Sequence, residues 1–347
     1  MDAGQGANFS LYALVVYFAV VVCIGIFYSR RNDSTEDFIL AGHSLSTPFV
    51  TGSVVATWLG GAVVLGGARE AYLGGFQAIV WDPWSPVITL LLCGFFFVGM
   101  FRRSRQVTAI DFYRSRYNTG VGMVNMVVAI LAYISWLSAQ FLSLGVLISL
   151  ASGLDNVTAT IVGAGIILAI SGTGGLWALS RSDMLAFIIL TFVLLAILPF
   201  AFAAVGGIGA FVENAGTFDG AQPFSLFYTT ELNEQGEPTG FSGYLGLLGV
   251  FYMLAAWFSV AIGDLGGSVL MARALAAKDE RSATRGFVFG GFIYLALGMI
   301  PVIVGMCVFI LNPALPEAQL DDIFPSFLHS HAPRWLALLF VVAVCSA

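Results

Sequence analysis

Apolar runs follow one another almost end to end along this chain, at about 10–29, 47–68, 76–101, 120–152, 157–179, 184–207, 243–263, 286–311 and 334–347. A bilayer's hydrocarbon core is about 30 Å thick and needs about 20 apolar residues per helical crossing. The runs therefore predict about eight full crossings and the start of a ninth. Composition points the same way, because 59% of the 347 residues are apolar and only 10% charged, against about 25% in soluble domains. So few charges cannot cover a water-facing surface, and the solvent is lipid. Inside lipid each segment must satisfy its own backbone N–H and C=O groups, which predicts an all-α membrane protein.

The charges fix an orientation. If the first loop is cytoplasmic, that side collects Arg30, Arg31, Arg102, Arg103, Arg105, Arg114, Arg116, Arg181, Arg273, Lys278, Arg281 and Arg285, while Arg69 and Arg334 fall opposite. Twelve against two is a strong positive-inside bias, and one miscounted crossing would scramble it. The expectation is a multi-pass protein of the plasma (inner) membrane with its N-terminus outside. The first run ends in Arg30 and Arg31 instead of a small-residue cleavage site, so it reads as a retained helix. The last run breaks off at Ala347 after about 14 residues, a half-crossing that reads as an incomplete element.

Several chemistries find no support. Cys23, Cys93, Cys307 and Cys345 all lie within apolar runs, where cysteine behaves as a small hydrophobe, so neither a disulfide framework nor a CxxC metal pattern is implied. No basic patch exists beyond the short loops that topology explains, so no nucleic-acid partner is expected. None of the three histidines lies in a crossing and no nucleophile neighbours a base in sequence, so an enzyme is not expected. The loop at about 208–242 carries Glu213, Asp219, Glu231, Glu234 and Glu237 with no Lys or Arg. It either concentrates cations near an outer mouth or is a solvated loop. His329 and His331 form an H-x-H pair without further spaced ligands.

The second crossing, Thr51-Gly52-Ser53-Val54-Val55-Ala56-Thr57-Trp58-Leu59-Gly60-Gly61, continues to a second pair, Gly66-Gly67. Paired glycines weaken a helix where lipid demands continuity. One outcome is an unwound stretch whose freed carbonyls hold a dehydrated cation at the midplane, as in secondary transporters. The other is close packing through small residues. Gly263-Asp264-Leu265-Gly266-Gly267 repeats the pattern, making Asp264 either a gate or substrate residue or a helix cap. Asp82, between Trp81 and Pro83, lies within the third run. A carboxylate at the bilayer centre costs about 2.5–3.5 kcal/mol, so it either serves the solute or gate or sits at an interface, with the crossing starting after Pro86.

Asp37-Phe38-Ile39-Leu40-Ala41-Gly42-His43-Ser44-Leu45, then Ala56-Thr57-Trp58-Leu59-Gly60-Gly61 and Glu70-Ala71-Tyr72-Leu73-Gly74-Gly75, resemble the opening signature of the sodium:solute symporter family. Gly94-Phe95-Phe96-Phe97 and the loop from Arg103 to Asp111 most resemble its high-affinity choline transporters. Gly174-Gly175-Leu176-Trp177-Ala178-Leu179-Ser180-Arg181-Ser182-Asp183 and Arg273-Ala274-Leu275-Ala276-Ala277-Lys278 are similar to two later family stretches. The resemblance implies a LeuT-type inverted-repeat fold in one transmembrane domain, 1–347: an extra helix at 10–29, a first five-helix repeat at about 45–207, and a second repeat starting at about 243 and truncated at 347.

It also implies roles. Backbone carbonyls of Ala56, Leu59 and Ala347 would hold Na⁺ as the co-transported ion, and Asp183 would line its release path, although Ala186 stands where the family has Gln. Trp58 and Trp136 match cage tryptophans that hold a quaternary ammonium by cation–π attraction, about 0.5–2 kcal/mol each. Gly267 and Pro86 replace two further aromatic positions of that cage. Asp82 and Asp264 complete the candidate substrate residues; Arg273 and Lys278 read as topology determinants. The expected function is Na⁺-coupled symport of a small organic solute of the amine or quaternary ammonium class, the alternative being a non-transporting sensor on the same scaffold. Neither the solute's identity nor the oligomeric state is legible.

Overall fold

The computed structural model describes residues 3–29, 34–217 and 222–346. Helix α1, Ala3–Ser29, is followed by the short α2, Thr35–Leu40. The second crossing is two helices, α3, Thr47–Trp58, and α4, Gly61–Gly74. A 3-10 turn at Gly75–Val80 leads to α5, Trp84–Leu92, which continues through a π turn at Cys93–Phe97 into α6, Val98–Ser104. Beyond α7, Ala109–Arg116, come the long helices α8, Thr119–Ser152, and α9, Asn156–Ala204, then α10, Ile208–Thr217. The second half holds α11, Gly246–Gly263, α12, Ser268–Ala276, α13, Glu280–Leu311, α14, Ile323–His331, and α15, Arg334–Ser346. Five helical stretches among the described residues are long and apolar enough to cross a membrane: 61–104, 119–149, 174–204, 246–263 and 280–311. Shorter apolar helices occupy 14–28, 156–168 and 334–345.

Helix α13 is the axis of the bundle, packed against α3, α4, α5 and α9. It gets this close because small residues face its neighbours: a Cβ on Gly305 would fall 2.1 Å from the Ala68 carbonyl oxygen of α4. In lipid such backbone proximity replaces the hydrophobic drive that packs soluble helices. Helix α8 is the opposite case, with Val124, Leu131 and Leu142 all more than 60% exposed. Those side chains are apolar because their surroundings are hydrocarbon, which is how a membrane bundle inverts the usual outside.

The structure corrects the sequence reading at four places. The runs 157–179 and 184–207 were expected to be separated near Arg181–Asp183, but α9 continues through that cluster and bends at Gly175 instead. Gly175 has φ +58°, and a Cβ there would meet the Phe38 carbonyl oxygen at 2.6 Å. The polar cluster need not end the helix, because tertiary partners accept it: Arg181 lies 3.9 Å from the Phe49 ring centroid and 5.5 Å from that of Tyr28. Second, the run 76–101 is not one regular helix, since a 3-10 turn at Gly75–Val80 and the Asp82–Pro83 step precede α5. Third, the 208–242 loop is partly ordered, with α10 and an antiparallel hairpin, β1, Tyr228–Leu232, and β2, Pro238–Gly240, in which Tyr228 faces Gly240 and Leu232 faces Pro238. The chain is nearly, not wholly, all-α. Fourth, Arg273 is more than a topology determinant, as its partners below make plain.

Candidate functional site

The glycine-broken second crossing is interrupted in fact. The last regular bond of α3 runs from Leu59 N–H to the Val55 carbonyl at 2.8 Å. Leu59 then leaves helical geometry (φ −82°, ψ 53°) and Gly60 is extended (φ −90°, ψ −174°). The ladder resumes when Val63 and Val64 both donate to the Gly60 carbonyl, at 3.1 and 3.0 Å. The carbonyls of Ala56 through Leu59 are thereby released from the ladder. Ala62 N–H, orphaned by the same break, donates to Gln140 Oε1 of α8 at 3.1 Å. Ala56 and Leu59 are buried, so the freed oxygens lie within protein and not in lipid, the condition under which a membrane tolerates broken backbone. Peptide oxygens suit a hard cation such as Na⁺. Helix α15 closes on the same joint, Val344 Cγ1 lying 3.2 Å from where a Cβ of Gly61 would be. Ala347, the third expected carbonyl, lies outside the described residues.

Trp58, the last residue of α3, is half-buried and packs edge-on against Tyr294 of α13, centroids 6.2 Å apart at 78°. The Tyr294 hydroxyl donates to the Asp82 carboxylate, 2.9 Å from Oδ2 and 3.1 Å from Oδ1. Asp82 precedes α5 and reaches α13 because Gly298 leaves room, a Cβ there meeting the Pro83 Cβ at 2.5 Å. The fold thus brings together Trp58 and Asp82, through a tyrosine that sequence reading passed over. Its one signal was a hydroxyl inside the apolar run 286–311. Gln140, one of two amides within 120–152, carried the same signal.

Trp136 and Asp264 fall in a second group. Asp264 caps α11 at an interruption that extends to Gly267, and its carboxylate folds back so that a Cβ on Gly267 would meet Oδ1 at 2.0 Å. Beyond the gap, Val269 N–H of α12 donates to the Tyr133 hydroxyl of α8 at 3.1 Å, and the Tyr133 ring lies 6.4 Å from that of Trp136. Both broken crossings therefore lean on α8, one through Gln140 and the other through Tyr133.

Asp183 belongs to a third group. It is half-buried in α9 and accepts a hydrogen bond from the Ser53 hydroxyl of α3. Arg273 of α12 reaches it at 3.6 Å and donates to Ser53 Oγ at 3.3 Å. Below this tie the strand-like contact of Leu45 with Ala276 and Lys278, at 3.0 and 2.9 Å, fastens the start of α3 to the end of α12. A narrow crevice lined by Ala71, Pro223, Thr230, Met306, Phe309 and Ile310 lies at the other end of α4, away from Trp58.

A sequence model of the sodium:solute symporter family matches residues 38–347. High-affinity choline transporter 1 of Caenorhabditis elegans is 24% identical over 369 residues, covering 97% of this chain and 59% of that protein. The sodium/glucose cotransporter of Vibrio parahaemolyticus is 26% identical over 357 residues, covering 98% of this chain and 64% of its own. The chain therefore spans less than two thirds of the length of these curated relatives. A substrate-bound, outward-open Na⁺-coupled sialic acid symporter superposes with TM-score 0.80 at 17% identity, over 97% of this chain and 68% of that one. That likeness establishes the LeuT-type fold.

Proposed function

Because the chain belongs to the sodium:solute symporter family, we propose that it couples uptake of a small organic solute to the inward movement of Na⁺. The observation that carries this reading is the interruption at Ala56–Leu59, where peptide oxygens are free inside the bundle and the adjoining Trp58 packs against Tyr294, whose hydroxyl bonds Asp82. Relatives named as carriers of choline, glucose and sialic acid support the class and leave the solute open.

In this reading α1 is the extra helix, α3 to α9 form the first repeat, and α11 to α15 belong to the second. Na⁺ bound to the Ala56 and Leu59 carbonyls draws the α3–α4 joint toward α15, in line with Val344 already lying against Gly61. That stabilises the form able to accept solute at Trp58, Asp82, Trp136 and Asp264, and a ligand shifts a conformational equilibrium only by such differential binding. Release toward the Arg-rich end requires the Ser53–Asp183–Arg273 tie to part, and Asp183 then offers the departing ion its carboxylate. The N-terminus lies outside a plasma membrane.

One Na⁺ crossing about 100 mV contributes about 2.3 kcal/mol, and a tenfold gradient adds about 1.4 kcal/mol. Together they sustain accumulation of a neutral solute on the order of several hundredfold. The test is uptake of a solute panel by proteoliposomes of the full-length protein under an inward Na⁺ gradient. Accumulation that collapses when K⁺ replaces Na⁺ is the expected result; indifference to the exchange overturns the coupling.

A further inference from the structure

The environment of Asp82 says more about the solute than the family does. Among the described residues no Lys, Arg or His lies within 4 Å of its carboxylate, whereas Asp183 has Arg273. The one hydroxyl it accepts, from Tyr294, is shared between both oxygens, and a carboxylate has about four acceptor sites. Among the described residues, most of its acceptor capacity is left for something else. An ionised carboxylate within the bilayer's span is costly until a cation arrives. The carboxylate is held by Tyr294, and Trp58 packs edge-on against that ring.

We propose that Asp82, Tyr294 and Trp58 form a subsite for a protonated primary or secondary amine, so that the transported solute is a small organic cation bearing N–H donors. Such a group supplies the missing charge and fills the vacant acceptor sites at once, in charge-assisted hydrogen bonds roughly twice as strong as neutral ones. A quaternary ammonium brings charge without donors, and a polyol brings donors without charge. The two rings are left to pack the carbon skeleton and to face the cation. Trp58 ends at the released carbonyls, so the amine would be felt directly at the joint that binds Na⁺. The inference rests on the symport reading for its meaning as a transport site.

The experiment is thermal-shift titration of the purified full-length protein with Na⁺ alone, then at saturating Na⁺ with ethanolamine, putrescine, tyramine, choline and ethylene glycol. Wild type is compared with Asp82→Asn, Asp82→Glu and Tyr294→Phe, each first checked for a single gel-filtration peak. The expected result is stabilisation by at least one of the three amines, weakened tenfold or more in Asp82→Asn and several-fold in Tyr294→Phe, with the shift by Na⁺ alone preserved. Should Asp82→Asn fail to fold, weakening in Tyr294→Phe with recovery in Asp82→Glu carries the same weight. Equal amine affinity in the variants, no response to any amine while Na⁺ still stabilises, or tighter binding of choline or ethylene glycol overturns the subsite. So does loss of the Na⁺ response in Asp82→Asn, which would make Asp82 an ion ligand. An Asp82-dependent amine response that is indifferent to Na⁺ would leave the subsite standing and sink the coupling instead.

Discussion

Asp183, Ser53 and Arg273 come from positions 130 and 220 residues away from one another along the chain, yet one hydroxyl joins all three. Arg273 is required by topology and then reused, because a guanidinium that must lie near the Arg-rich end can also neutralise a buried carboxylate there. Both side chains of the pair are mostly covered, 13% and 19% exposed. Asp183→Asn or Arg273→Gln strands the other partner, and breaking a buried pair costs on the order of 3–5 kcal/mol. Thermal unfolding in detergent is expected to show a clear drop for either variant and a smaller one for the two combined; an additive loss would mean the pair does not act as a unit. Gln140 offers a milder test. Gln140→Ala removes the acceptor for Ala62 N–H, a cap worth about 1 kcal/mol, and loosens the joint without touching the carbonyls. Na⁺ affinity, read by titrated thermal shift, is expected to weaken about fivefold.

Two interruptions, at Leu59–Gly60 between α3 and α4 and at Asp264–Gly267 between α11 and α12, fall beside glycine pairs whose sequence left a break and close packing equally open. A glycine pair alone does not specify a break, however: Gly66-Gly67 lies within α4, which runs unbroken to Gly74. The difference is what receives the orphaned groups. Gln140 stands opposite Ala62 and Tyr133 opposite Val269, while nothing comparable is needed beside Gly66. The bend of α9 follows the same logic in reverse, since its polar residues find partners and the helix yields only where Phe38 crowds it. Gly175→Ala must place a side chain at φ +58° and 2.6 Å from a carbonyl oxygen. A cost of order 1–3 kcal/mol is expected, seen as a lowered melting temperature, whereas Gly165→Ala, where a Cβ meets nothing within 4 Å, is expected to leave it unchanged.

Across the whole molecule the Arg-rich end is tied together by backbone and charge. Arg102 Nε donates to the Ala277 carbonyl at 2.7 Å, Arg103 pairs with Glu280 at 2.6 Å, and His43 Nδ1 lies 2.7 Å from the Leu275 carbonyl oxygen. These residues thus fasten α2, α6, α12 and α13 to one another at that end. In a Cys23→Ala background, Ser115→Cys is expected to resist a membrane-impermeant maleimide in intact cells and to react after permeabilisation. Ser330→Cys, exposed on α14 at the opposite end, is expected to react without it. The reverse pattern would invert the proposed orientation. What the sequence determined by itself was the solvent and the helical class of the chain, because hydrocarbon imposes the same local rule on every segment. Which carboxylate would find a counter-charge was decided by tertiary structure alone. Asp82 and Asp183 read alike in a string of apolar letters, and only packing gives one a tyrosine and the other an arginine.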